Sequence, residues 1–187
     1  MDSETAETAV YEARFGWTGR TVRLSLISLA FLGCAFIPNI SLGIAVFAGS
    51  FGLLGLLVFT TASLSRAVAL RIDEEGVTLG GNPLHVGFKT DVVPWSDITS
   101  VVLWTQHVGR TDMPYIGLHR PQGSPQLPGQ PYGPRRRRIN EALIPHVPAE
   151  IVQASRPVNM WDLDRARLES AMETFAPQVE IVDMSDR

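Results

Sequence analysis

The residues able to do chemistry in this 187-residue chain are few and scattered. Its four histidines, His85, His107, His119 and His146, share no metal-ligand spacing, and the single cysteine, Cys34, offers neither a disulfide nor a thiolate metal site. No G-x-S-x-G elbow, Walker loop or glycine-rich phosphate fingerprint occurs. Asp73, Glu74 and Glu75 are adjacent carboxylates, but they precede Gly76 in a turn signal, where acidic side chains are usual and solvated. The expectation is therefore no catalytic residue, no metal ligand and no cofactor. An enzyme with an unrecognised site is the alternative.

Arg135, Arg136, Arg137 and Arg138 form the strongest charge feature. Beside an anionic bilayer each cation contributes about 1 kcal/mol. The following Ile139, Leu143 and Ile144 suffice for a short basic amphipathic turn. Such a run can contact anionic lipid headgroups or an acidic protein partner, or it can simply be solvated. Nucleic acid is not an expected partner, because the net charge is −3 and no aromatic platform accompanies the run. Prolines 125, 128, 131 and 134 recur every three residues ahead of it, the period of a polyproline II segment. A stiff, unpacked loop is the plainer reading of that stretch.

A bilayer becomes the natural setting once the rest of the chain is read. Between Arg23 and Arg66 lie 42 residues without an Asp, Glu, Lys, Arg or His. As one helix they would run about 63 Å, roughly twice the bilayer core. Pro38-Asn39 breaks the block, which predicts a hairpin of two transmembrane helices, about Thr21 to Ile37 and about Ser41 to Leu64. Arg14, Arg20 and Arg23 precede the first pass, Arg66 and Arg71 follow the second, and the turn carries no charge. Both termini are therefore expected in the cytoplasm of a bacterial plasma membrane. Gly49, Gly52 and Gly55 line the second pass and, with Ala45 and Ala48, make small-xxx-small pairs. They either pack on the first pass around Ala30, Gly33 and Cys34, or bring a second copy into a homo-oligomer. The absence of an ionisable residue in either pass argues against an ion or proton path.

After Arg66 the apolar pattern alternates. Val68, Leu70 and Ile72, then Val77 and Leu79, then Val86 to Phe88 with Val92-Val93 read as strands of an antiparallel meander, separated by "DEEG" and "GGNP" turns. In "VVPWSDITSVVLW", Pro94 closes one strand, Ser96 or Asp97 caps a single turn, and a fresh strand begins. This is a corner that turns Ile98 and Val101 inward and folds one sheet over another. "VVLWTQH" and "MPYIGLHR" are the next two strands. Asp164 is a candidate N-cap, with Leu163 and Leu168 as a hydrophobic staple. Leu168, Ala171, Met172 and Phe175 form one apolar helical stripe that Pro177 ends.

"LRIDEEGVTL", "VVPWSDITSVVLW" and the terminal "SRPVNMWDLDRARLESAMETFAPQVEIVD" together resemble the bacterial pleckstrin-homology-like domains that are joined to membrane passes, of an uncharacterised actinobacterial type. The resemblance implies a two-helix membrane hairpin followed by an α+β, mostly antiparallel curved sheet or barrel capped by a C-terminal helix. Residues 1–20 would be a cytoplasmic tail, 21–65 the hairpin, 66–183 the cytoplasmic module with a Pro/Arg-rich insert at 121–138, and 184–187 a short tail. The function expected is non-enzymatic: a membrane-held interaction or scaffold module binding a protein or anionic lipid headgroups. An accessory subunit of an envelope transport or secretion assembly, acting through its membrane helices, is the alternative.

Overall fold

A computed structural model describes residues 10–81, 83–84, 90–109, 111–125, 127, 138–139, 144 and 147–185. The chain begins with a strand, β1 (Tyr11–Arg14), and then leaves the sheet through two helices, α1 (Gly19–Cys34) and α2 (Leu42–Ser65). It returns as β2 (Val68–Ile72), β3 (Gly76–Leu79) and β4 (Asp91–Pro94). These strands form one four-stranded sheet in the order β1-β2-β3-β4, and each neighbouring pair is antiparallel. The expected tail over residues 1–20 thus contains a strand. Tyr11, Ala13 and Phe15 are all buried in the main core. Four residues in which Tyr11 and Ala13 alternate with Glu12 and Arg14 are too short a pattern to announce a strand before its partner is known.

The corner forms where the sequence puts it. Trp95–Asp97 make one turn of 3₁₀ helix between β4 and β5 (Ser100–Val108), which begins the second sheet. No side chain caps that turn, contrary to the expectation for Ser96 or Asp97. The Ile98 amide instead closes it on the Trp95 carbonyl at 3.2 Å. The Trp95 indole N–H donates to the Asp73 carbonyl at 2.9 Å, which ties the corner to the β2–β3 turn. Ile98 and Val101 are buried as expected.

The second sheet has the order β7-β6-β5-β8. β5 and β6 (Thr111–His119) form a nine-pair antiparallel hairpin. A short helix, α3 (Ala149–Gln153), leads into β7 (Ser155–Pro157). After α4 (Arg165–Phe175), β8 (Glu180–Asp183) returns beside β5 in parallel, a strand the sequence reading did not include. The sheets stay separate, with no ladder closing them into a barrel among the described residues. α4 is capped by the Asp164 carboxylate, which accepts from the Arg167 amide at 3.1 Å. Its Leu168, Ala171 and Met172 fill the space between the sheets beside β1 and β2.

A second, smaller core lies on the outer face of the second sheet, where Trp104 and Val102 meet Ile144, Val147 and Ile151. Ile144 was expected to belong to a membrane-facing turn; it is buried against Trp104 instead. The end of the insert is therefore packed, and only Arg138 and Ile139, both exposed, remain of the proposed basic turn within the described residues.

The free edges of the two sheets are joined by a buried ion pair. Arg156 of β7 meets the fully buried Asp91 of β4 at 2.6 Å and donates to the Gly80 carbonyl at 3.0 Å. Burial lowers the Arg156 pKa; the Asp91 charge and its hydrogen bond oppose that. Removing one partner strands the other charge, so Asp91→Ala should cost about 3–5 kcal/mol. Denaturant unfolding of the detergent-solubilised protein, read by tryptophan fluorescence, checks this. A loss below about 1 kcal/mol, the scale of an exposed pair, would contradict the clamp.

Candidate functional site

The feature that departs most from an ordinary soluble fold is the helical hairpin and the way it joins the sheet. α2 has 24 residues, about 36 Å at 1.5 Å per residue, and is long and apolar enough to cross a bilayer. It is a candidate membrane span. Leu42, Phe47, Leu54 and Leu57 are exposed along it. α1 has 16 residues, about 24 Å, and ends at Cys34 rather than Ile37. A turn from Ala35 to Ser41 follows, with Phe36 and Ile37 exposed and Asn39 at positive φ.

The two helices touch through the glycine face of α2. A Cβ at Gly52 would collide with the Leu32 backbone, and one at Gly55 with the Ser28 hydroxyl. One at Gly49 would come within 3.2 Å of the Ala35 methyl. Glycine is therefore required at Gly52 by close backbone approach. The partners are Ser28, Leu32 and Ala35 rather than the expected Ala30, Gly33 and Cys34; Ala30 and Gly33 are exposed and Cys34 is half-buried. Ala30 and Gly33 are turned away from α2, a rotation of α1 that spacing alone could not fix. Ser28 satisfies its hydroxyl by donating to the Leu24 carbonyl at 2.9 Å.

At its base the hairpin is joined tightly. Residues 15–18 separate β1 from α1, and residues 66–67 separate α2 from β2. The Phe15 amide donates to the Ala67 carbonyl at 2.9 Å, and the Gly16 amide to the Met160 carbonyl at 3.0 Å. Thr18 caps α1, accepting from the Thr21 amide at 3.2 Å, while Thr21 returns a hydroxyl acceptor to the Thr18 amide at 2.8 Å. This capping box uses Thr where Glu or Gln is usual, so the helix enters without a negative charge. Arg66 ends α2 in the left-handed region, at φ 46°. The Arg14 guanidinium donates to its carbonyl at 3.1 Å. Arg20 reaches the Met113 sulfur of β6 at 3.7 Å.

Of the arginine run only one residue is described. Arg135, Arg136 and Arg137 lie outside the described residues, and Arg138 is exposed. The insert leaves the sheet after His119, at the end of β6 opposite the Thr111–Met113 end that lies beside α1. Nine strand residues span about 27 Å, so the insert starts from the far side of the module. Nearby, His119, Arg120, Ser124, Glu150 and Gln153 line a cleft of about 460 Å³. Arg120 there bonds the Pro125 carbonyl at 2.7 Å and approaches Asp97 at 3.6 Å, pinning the start of the insert to the corner. His85 and His146 are outside the described residues, and His107 pairs with Asp112 at 2.7 Å on the exposed hairpin end. Among the described residues no three His, Cys, Asp or Glu side chains gather as a metal site would require.

No protein-family model matches the chain, and neither does any curated protein or solved structure.

The glycine contact yields a direct test of what that face holds. With Cys34→Ala as background, Ala35→Cys/Gly49→Cys should form a disulfide within one chain on mild oxidation, since the two Cβ positions are neighbours. The product should run as a monomer of altered mobility. A dimer as the main product would show that the face holds a second copy.

Proposed function

We propose that this is an integral membrane protein whose hairpin crosses a bacterial plasma membrane twice and holds the two-sheet module against the cytoplasmic face. The module acts without catalysis, as an interaction or scaffold surface for a protein or for anionic headgroups. The observation that carries this reading is the splice itself. An apolar hairpin is inserted between two hydrogen-bonded neighbours of one sheet, β1 and β2, with almost no slack at either end. A flexible tether would hold the module near a bilayer; this connection also fixes which face it turns toward the bilayer.

The pleckstrin-homology-like assignment belongs to the same proposal. A four-stranded antiparallel sheet, a Pro-Trp corner, further antiparallel strands and then α4 follow the expected order. The hairpin between β1 and β2 and the parallel β8 are departures from it. An accessory-subunit role through the membrane helices draws no support from the glycine face, which α1 already occupies. The shortness of α1 is accommodated if the Ala35–Ser41 turn continues the first pass to the outer headgroups, reached by the 36 Å of α2.

Cysteine labelling in intact cells tests the topology, again with Cys34→Ala. An impermeant thiol reagent applied outside should label Asn39→Cys and miss Ser3→Cys and Ser185→Cys. Outside labelling of Ser185→Cys would overturn the orientation. An Asn39→Cys protected from both sides would mean that the hairpin stops within the bilayer.

A further inference from the structure

We infer that Trp17, Arg20, Arg23 and Arg66 form a collar around the base of the hairpin that binds the phosphates of anionic lipid headgroups. The inference rests on the membrane reading above, and it moves the lipid contact from the arginine run to the junction.

Four observations converge on this site. First, no described carboxylate neutralises these cations. Arg20, Arg23 and Arg66 have no carboxylate within 4.0 Å among the described residues, whereas Arg14, beside them, is engaged by Glu12. Second, Arg23 lies a full turn inside α1, and its guanidinium folds back to donate to the Gly19 carbonyl at 3.2 Å. That is the posture of a long cationic side chain returning its charge from an apolar surface to the polar interface. Third, Arg66 occupies the left-handed position that ends α2, where glycine is preferred and other residues carry a conformational cost. An arginine there retains charge at a place where local geometry alone would select against it. Fourth, Trp17 is 54% exposed just ahead of α1, the helix that packs on the candidate membrane span α2. A large amphipathic ring is wasted in open water but suited to the headgroup level.

All four residues lie at the base of the hairpin, just ahead of α1, within its first turns or at the end of α2. Arg66 adjoins Arg14 through its carbonyl, Arg20 leans on Met113 of β6, and Arg23 turns toward Gly19, two residues from Trp17. Thr18 and Thr21 cap the start of α1 themselves, so the side-chain cations supply the contact. Phosphate suits arginine because several N–H groups of a planar fork can meet its oxygens.

The test uses the full chain in proteoliposomes and brominated lipids, which quench tryptophan on contact. Two preparations carry equal bromine, one on a zwitterionic phosphatidylcholine and one on phosphatidylglycerol at about 30% of the lipid, on the order of natural anionic content. Trp17→Phe isolates the Trp17 component from Trp95, Trp104 and Trp161. At low salt the brominated anionic lipid should quench that component at least about twofold more than the zwitterionic one, because the collar enriches anions locally. Arg20→Gln/Arg23→Gln/Arg66→Gln should abolish the preference while quenching by the zwitterionic lipid remains. The triple Lys variant should keep it, which separates charge from misfolding. Equal quenching by the two lipids in the parent protein, or a preference that survives the Gln variant, would overturn the collar. Absence of quenching by either lipid would overturn the membrane reading as well.

Discussion

The pairing of β1 with β2 is the constraint on which the other parts depend. Tyr11 sits opposite Ile72 and Arg14 opposite Val68, yet a whole helical hairpin lies between them in sequence. Closing a disordered loop of about 50 residues would cost roughly 3–4 kcal/mol in chain entropy, by (3/2)RT ln n. A preformed helical hairpin removes most of that cost, because α1 and α2 run antiparallel and return the chain to its starting point. Once the helices pack through Gly52, β1 and β2 become neighbours as though joined by a tight turn. The two helices therefore act as a structural part of the sheet, and the sheet sets their spacing at the base.

The N-terminal strand then reaches well beyond its own pairing. The Tyr11 hydroxyl accepts from the Asp164 amide at 3.0 Å, at the point where α4 begins, and the Arg167 guanidinium lies over the Tyr11 ring. Burial raises the Tyr11 pKa, so the phenol stays protonated and keeps its place beside Asp164. α4 in turn is tied to the last strand through Arg165 and Asp183 at 2.7 Å. From the hairpin base to β8 there is a continuous path of packed and hydrogen-bonded groups. The Arg156–Asp91 pair closes the opposite side, between the free edges β4 and β7. A module held in this way has little freedom to swivel on its anchor, which is why its orientation carries the functional reading.

Much of this was legible in the residues. The uncharged block and Pro38-Asn39 gave the helical hairpin to within a few residues, because apolar length and proline chemistry act locally. Pro94 and Trp95 marked the corner for the same reason, and Asp164 the start of α4. What stayed hidden depends on contacts distant in sequence. Tyr11–Arg14 reads as a strand only when Ile72 is known to lie opposite, and Glu180–Asp183 only when β5 is known to have a free side. The arginine run drew attention through composition, whereas Arg20, Arg23 and Arg66 read in the sequence only as signals of orientation at the two ends of the uncharged block. Ile144 looked like part of an amphipathic turn because its partner, Trp104, lies on a strand 40 positions earlier.

Excision of the hairpin tests the central claim most directly. The Phe15 amide and the Ala67 carbonyl are already bonded at 2.9 Å, so Asn-Gly can replace residues 16–66 as a two-residue turn. Thermal unfolding of that chain should be measured without detergent, beside a fragment that begins at Arg66 and so lacks β1. The account predicts that the excised chain is soluble and melts in one cooperative transition, while the fragment, missing Tyr11, Ala13 and Phe15 from its core, does not. A fragment that melts as cooperatively and at the same temperature as the excised chain would contradict it.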